Sequence, residues 1–96
     1  MNGSPGRIIQ SRITCGATGG LGEAALDANG NAWARYCDET WKPWVQVAAG
    51  AIDVDIAAAP PDGDVFALVI ATPATPGGGR QIHTLNSDGT VTATPH

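Results

Sequence analysis

The chain is a succession of short strand-like runs separated by turns rich in glycine, proline, asparagine and aspartate. Thirteen glycines and seven prolines among 96 residues leave no stretch in which an α-helix of usable length could form. The turns include Asn29-Gly30, one of the strongest hairpin signals, and the Pro-Pro-Asp-Gly segment at 60–63. The predicted strands are 7–14, 23–27, 31–37, 41–48, 52–58, 64–72, 80–85 and 90–94. This pattern predicts an all-β fold.

The eight predicted strands fall into two groups of four, before and after Gly50. Ile13 and Ile56 stand 43 residues apart, and the segment 33–36 aligns with 82–85. This period lies in the range of about 40–45 residues typical of a four-stranded propeller blade. The predicted organisation is a flexible N-terminal arm at 1–6 and one all-β domain at 7–96, with repeats at 7–49 and 50–96.

Alternation within the strands predicts which side chains share a face. In the run 31–37, Ala32, Ala34 and Tyr36 point to one side and Trp33, Arg35 and Cys37 to the other. Large rings are scarce, since the three tryptophans and Tyr36 all lie in 26–47 and Phe66 is the only aromatic elsewhere. Because a chain of this length buries a modest fraction of its surface, we expect it to complete its core by self-association.

Composition and charge argue against several classes of function. A net charge of −4 with a single lysine leaves no basic patch for nucleic acid. The N-terminus has no signal-peptide pattern, and the longest apolar run, 65–71, is too short to span a bilayer. We therefore expect a soluble protein with no export signal and no membrane insertion.

No motif for catalysis, a metal or a cofactor stands out. The glycine-rich segment 15–22 has no lysine after its glycines, so we interpret it as a flexible loop and not as a phosphate-binding loop. The D-x-D pairs at 53–55 and 62–64 are typical of a solvated strand face and a turn, and His83 lies beside no sequence-local acid or nucleophile elbow. We expect a non-enzyme without cofactor or metal. Cys15 and Cys37 leave open whether they pair or remain two thiols.

A family resemblance rests on these segments. IDVDIAAAPPDGDVFALVIA followed by RQIHTLNSDGTVTA resembles a β-propeller blade, and GEAALDANGNAWARYCDETWKPWVQVA resembles the blades of small propeller lectins, in which a tryptophan-rich outer hairpin flanks the sugar site. The resemblance implies two four-stranded antiparallel blades per chain. Three chains would then close a ring of six blades, within the 4–8 of known propellers, as a homotrimer. A β-sandwich or jelly roll is the alternative fold.

The candidate site residues are those of the aromatic hairpin: Arg35, Tyr36, Glu39, Trp41 and Trp44. Aromatic rings could stack on the C–H face of a sugar while charged neighbours hold its hydroxyl groups, or the same rings could fill an interface between blades or chains. The predicted function is that of a non-catalytic, self-assembling surface protein with lectin-like carbohydrate binding. The alternative is a structural virion component of a bacteriophage, a capsid decoration or tail protein at the virion surface, with other virion proteins as partners.

Overall fold

The computed structural model describes residues 4–16, 20–58, 65–72, 79–86 and 88–93. Within these segments the regular secondary structure consists of β-strands alone, as the sequence predicts. They are β1 (Ile8–Cys15), β2 (Leu21–Asp27), β3 (Ala32–Asp38), β4 (Thr40–Trp41), β5 (Val45–Ala48), β6 (Asp53–Ala58), β7 (Phe66–Ala71), β8 (Arg80–Leu85) and β9 (Val91–Ala93). They form two antiparallel four-stranded sheets, with β4 and β5 together supplying one strand position.

The first sheet is a meander whose fourth strand is broken. β1 pairs with β2 and β2 with β3, and both β4 and β5 pair with β3, beside its C-terminal and N-terminal ends respectively. Pro43 lies between them and has no backbone N–H to donate to a ladder. The predicted strand 41–48 is therefore right in position but wrong in continuity.

The second sheet runs in the order β6-β7-β8-β9, so each strand pairs with its neighbour in sequence. All three pairings are antiparallel and free of register shifts. A jelly roll requires pairing between strands distant in sequence, and neither sheet contains such a pair in the described segments. The consecutive order is the one that the blade-like repeats predict.

The core lies between the two sheets. From the second sheet, β7 contributes Phe66, Leu68 and Ile70, all fully buried. Alternation along β2 and β3 turns mostly small side chains toward them. The buried cluster comprises Ala24, Leu26, Ala32, Ala34, Tyr36, Ala51, Val54, Ile56, Phe66, Leu68, Ile70 and Leu85. Burial of each large member stabilises the fold by about 1.5–3 kcal/mol.

Two glycines make room for aromatic rings. A Cβ on Gly22 would lie 2.7 Å from Cδ2 of Phe66, and a Cβ on Gly20 would overlap the hydroxyl of Tyr36. The two rings themselves meet at 5.9 Å between centroids, tilted by 50°, which is a favourable aromatic arrangement. The prediction of a flexible loop at 15–22 is thus wrong at its ends, where Cys15 closes β1 and 21–22 open β2, while 17–19 lie outside the described residues.

Other sequence predictions fall partly outside the described segments. Of the predicted N-terminal arm, residues 1–3 are not among those described, and the backbone N–H of Gly6 donates to Oδ2 of Asp27 at 3.1 Å. The predicted turn at 60–63 also lies outside them. Among the residues that are described, no helix has the length and apolar character needed to cross a bilayer.

Candidate functional site

The side of the first sheet that faces away from the second sheet, here called the outer face, carries the functional candidates. Strand pairing aligns Ile13 of β1, Glu23 of β2 and Arg35 of β3 in one row across this face. Paired residues on antiparallel strands project to the same side. The row therefore brings a carboxylate and a guanidinium together at the centre of the sheet.

Arg35 is held by three neighbours, and we call these four residues the Arg35 clamp: Glu23, Arg35, Trp41 and Trp44. Nε of Arg35 donates to Oε1 of Glu23 at 2.7 Å. The guanidinium carbon lies 4.1 Å from the ring centroid of Trp41 and 4.2 Å from that of Trp44. Each contact is a cation–π interaction worth about 0.5–1 kcal/mol at an exposed site and more when desolvated.

The broken fourth strand positions the two rings. Trp41 pairs with Cys37 and so projects from the outer face, while Trp44 lies in the segment between β4 and β5. That segment leaves the ladder at Pro43, which allows the Trp44 ring to return over the guanidinium. Trp41 is 38% exposed and Trp44 is half-buried, so the rings border solvent.

Both carboxylate oxygens of Glu23 accept hydrogen bonds from within the protein. The residue is buried, its Oε1 accepts from Arg35, and its Oε2 accepts from Oγ of Ser11 at 2.7 Å. A carboxylate removed from water needs such partners, since an unpaired buried charge costs several kcal/mol. Ser11, Glu23 and Arg35 thus form a chain of hydrogen bonds across β1, β2 and β3.

The terminal nitrogens of Arg35 remain open. No described residue accepts a hydrogen bond from either Nη group, and no buried side-chain nitrogen or oxygen in the described segments lacks a partner. The Nη groups therefore reach solvent, which agrees with a side chain that is 27% exposed. The clamp presents an edge with N–H donors between two indole rings.

The structure brings together three of the five predicted site residues. Arg35, Trp41 and Trp44 form the clamp, whereas Tyr36 lies on the opposite side of β3, 4% exposed and packed against Phe66. The alternation along β3 already places Tyr36 and Arg35 on different faces. Glu39 is exposed at the tight turn between β3 and β4, with a left-handed φ of 69°.

Asp27 is a second buried carboxylate on this sheet. Its Oδ1 accepts from the backbone N–H groups of Asn29 and Asn31, and its Oδ2 accepts from Gly6 N and from Nε1 of Trp33 at 3.0 Å. Burial acts to raise the pKa of Asp27, but these four hydrogen bonds outweigh it and hold the pKa below its ordinary value of 3.8. Trp33 is buried and takes part in structure at this site.

A cleft of about 470 Å³ lies between the segment that connects β4 to β5 and the turn before β9. It is lined by Lys42, Pro43, Val45, Asp88, Gly89, Thr90 and Val91. Hydrogen bonds from Thr90 lower the pKa of the exposed Asp88 carboxyl, with a smaller contribution from the positive charge of Lys42. The cleft has apolar walls with one charge of each sign.

The other reactive side chains stand apart. Cys15 and Cys37 both pair with Leu21, from opposite sides of β2, so they are two strand spacings, about 10 Å, apart. Both are free thiols. Their separation is greater than a disulfide can bridge. Burial lowers the pKa of His83, whose Nε2 meets Oε1 of Gln81 at 3.1 Å. Within the described segments, no three His, Cys, Asp or Glu side chains converge as metal ligands.

Sequence reasoning missed Glu23, Ser11 and Asp27. The hairpin has a three-residue loop, 28–30, and this register sets Glu23 opposite Arg35. A two-residue Asn29-Gly30 turn would instead set Glu23 opposite Tyr36, so the turn motif alone could not have found the pair. The Asp-x-Asn turn signal could have predicted the hydrogen bonds from the backbone to Asp27.

Searches of protein-family models, curated proteins and solved structures find no match to this chain.

Proposed function

We propose that the protein is a non-catalytic, self-assembling carbohydrate-binding protein and that the Arg35 clamp is its binding surface. The observation that carries this proposal is the pair of solvent-bordering indole rings held on either side of a guanidinium whose Nη edge is open. An indole offers a rigid apolar surface for the C–H face of a sugar ring, and N–H donors beside it can bond sugar oxygens.

The clamp also fixes its rings before a ligand arrives. Trp41 and Trp44 stack against Arg35, which is itself anchored to Glu23 and, through it, to Ser11. Side chains that are already ordered lose little conformational entropy on binding, which favours affinity. The faces of the two rings that point away from Arg35 are then the surfaces available to a sugar.

Binding to a glycan array, with wild type compared with Trp44→Ala, tests the proposal. We expect glycan binding by the wild type and a loss of affinity of about tenfold or more in Trp44→Ala, since truncated aromatic anchors typically cost 2 kcal/mol or more. Gln46→Ala is the matched control, because Gln46 is exposed on the adjacent β5 and outside the clamp. Failure of the wild type to bind any glycan would refute carbohydrate binding.

Self-assembly is supported by apolar side chains left in solvent. Ile9, Ile13 and Ile52 are 57%, 58% and 61% exposed, and Ile8 is 41% exposed. β7 is apolar on both faces, yet only the face with Phe66 is buried, and the face with Val69 is half-exposed. A continuous apolar strand is typical of sheets covered on both sides. A second copy of the chain would cover β7 and the isoleucines of β1. Because β1 is the edge of the first sheet opposite to β4 and β5, this contact leaves the clamp open to a ligand. Three copies would give the six-bladed ring proposed from the blade-like repeats.

The same exposed isoleucines favour a second candidate, a structural virion component of a bacteriophage. In that role the apolar surface would bind other virion proteins as well as further copies. Sedimentation with virus particles, lost on deletion of residues 1–6 and without glycan binding by the wild type, would support this candidate over the first. A protein that binds glycans and sediments alone would support the first.

A further inference from the structure

We propose that the ligand of the Arg35 clamp carries a carboxylate, so that the class of sugar recognised is acidic: a uronic or sialic acid. This inference rests on the proposed function and deepens it by naming the chemistry of the ligand. It follows from which hydrogen-bonding groups of the clamp are used within the protein and which remain open.

The open groups at the clamp are donors. Nε of Arg35 is bonded to Glu23, while both Nη groups reach solvent. The guanidinium carries no acceptor, so it can bond a ligand only through ligand oxygens with lone pairs. The Nη edge is the geometry that takes two oxygens of one carboxylate at once.

The carboxylate of the clamp is out of a ligand's reach because it is buried. Glu23 is 7% exposed, and its two oxygens already accept hydrogen bonds from Arg35 and from Ser11. A neutral sugar presents hydroxyl groups that each donate as well as accept, and among the four clamp residues the only carboxylate, that of Glu23, is buried. A ligand group that only accepts fits this arrangement better than a hydroxyl group does.

The indole rings strengthen the preference. They cover the guanidinium at 4.1 and 4.2 Å and exclude water from that surface. A charge-assisted hydrogen bond is roughly twice as strong as a neutral one, and partial removal of water increases its electrostatic strength. The overall charge of −4 and the carboxylate of Glu23 both oppose attraction of anions, so the preference must come from the directed N–H donors of the Nη edge.

Titration of tryptophan fluorescence with matched ligands tests this inference. The probes are galacturonate, glucuronate and N-acetylneuraminate oligosaccharides, each compared with its methyl ester, which keeps the sugar and removes the charge. We expect the acid to bind about tenfold or more tightly than its ester, because a charge-assisted hydrogen bond is stronger than a neutral one. The affinity for the acid, but not for the ester, should fall as salt is raised.

Arg35→Lys separates the shape of the donor edge from its charge. Lysine keeps the positive charge but loses the planar pair of donors, so the preference for the acid over its ester should fall by about threefold or more. Arg12→Lys is the control, since Arg12 is exposed on β1 and outside the clamp. An unchanged far-ultraviolet circular dichroism spectrum and an unchanged denaturation midpoint verify that the clamp variant is folded.

The outcomes distinguish the two proposals. Equal affinity of wild type for each acid and its ester would overturn the inference and leave carbohydrate binding standing. Tighter binding of neutral sugars than of any acid would overturn it as well. A wild type that binds none of the acids, esters or neutral glycans would refute the proposed function together with the inference.

Discussion

Asp27 determines the local structure at the end of β2 more than any other single residue. Its carboxylate is almost fully buried, yet four N–H groups share its two oxygens, from the N-terminal segment, the hairpin turn and Trp33. A hydrogen bond to a charged group typically contributes about 1.5–3 kcal/mol. One side chain thus ties three segments of the chain together.

Asp27→Asn should destabilise the fold by about 2–4 kcal/mol. The amide keeps one accepting oxygen, but its NH₂ group would face Gly6 N–H or Trp33 Nε1–H, leaving buried donors unsatisfied. Chemical denaturation of the two proteins measures the change. Asp88→Asn serves as the control, since Asp88 is exposed and its replacement should leave the denaturation midpoint near that of the wild type. A similar decrease in the free energy of unfolding in both variants would contradict this role of Asp27.

The same carboxylate predicts a pH dependence. The pKa of Asp27 is lower in the folded protein than its ordinary value of 3.8, so its stabilising contribution is present above that value and is lost as the pH falls through the folded pKa. Denaturation between pH 7 and 2 should show the free energy of unfolding of the wild type falling below about pH 4. Asp27→Asn should lose part of this fall, and an identical pH profile for both proteins would contradict the assignment.

At the scale of elements, strand positions could be predicted from the sequence and strand continuity could not. Alternation assigned the faces of β3 correctly, and the Asn29-Gly30 turn located the β2–β3 hairpin. The break between β4 and β5 depends on where Pro43 falls relative to the β3 ladder, which is a matter of three-dimensional register. Gly20 and Gly22 resemble loop residues in sequence. In the structure they leave space for the rings of Tyr36 and Phe66, which lie on other strands.

The repeat shows the same limit. The spacing of 43 matches Ile13 with Ile56, yet Ile56 is buried in the core and Ile13 is 58% exposed on the outer face. A shift of one residue in register moves a side chain to the other face of a sheet, so a matched sequence position need not be a matched structural one. The candidate site shows a similar limit: Tyr36 is next to Arg35 in sequence, but the alternation along β3 places the two side chains on opposite faces.

Gly22→Ala should destabilise the packing of the two sheets by about 1–3 kcal/mol. The added methyl group would lie 2.7 Å from Phe66 and 2.9 Å from Ile56, and overpacking of a core costs this amount. The measurement is a double-mutant cycle with Phe66→Leu, which removes the aromatic ring. The cost of Gly22→Ala should shrink in the leucine background, and an equal cost in both backgrounds would show that the ring is not the obstacle.

At the scale of the whole molecule, the proposed self-association depends on the exposed apolar surface. The two sheets bury one face each against the other, while the isoleucines of β1, Ile52 before β6 and the second face of β7 remain in contact with solvent. These apolar side chains lie on the outward sides of both sheets, and exposed apolar surface can mark interaction sites. In the proposed ring each chain supplies two sheets, and further copies of the chain are the cover.

Size-exclusion chromatography with light scattering measures the mass of the protein in solution and so tests whether its chains associate into a ring. We expect a discrete species of three chains of 9.7 kDa each, converted to smaller species by Ile13→Lys, which places a charge on the exposed apolar surface. Arg12→Lys, one residue away on the other side of β1, should leave the mass unchanged. A wild-type protein that elutes as a stable 9.7 kDa monomer at all concentrations would refute the proposed ring.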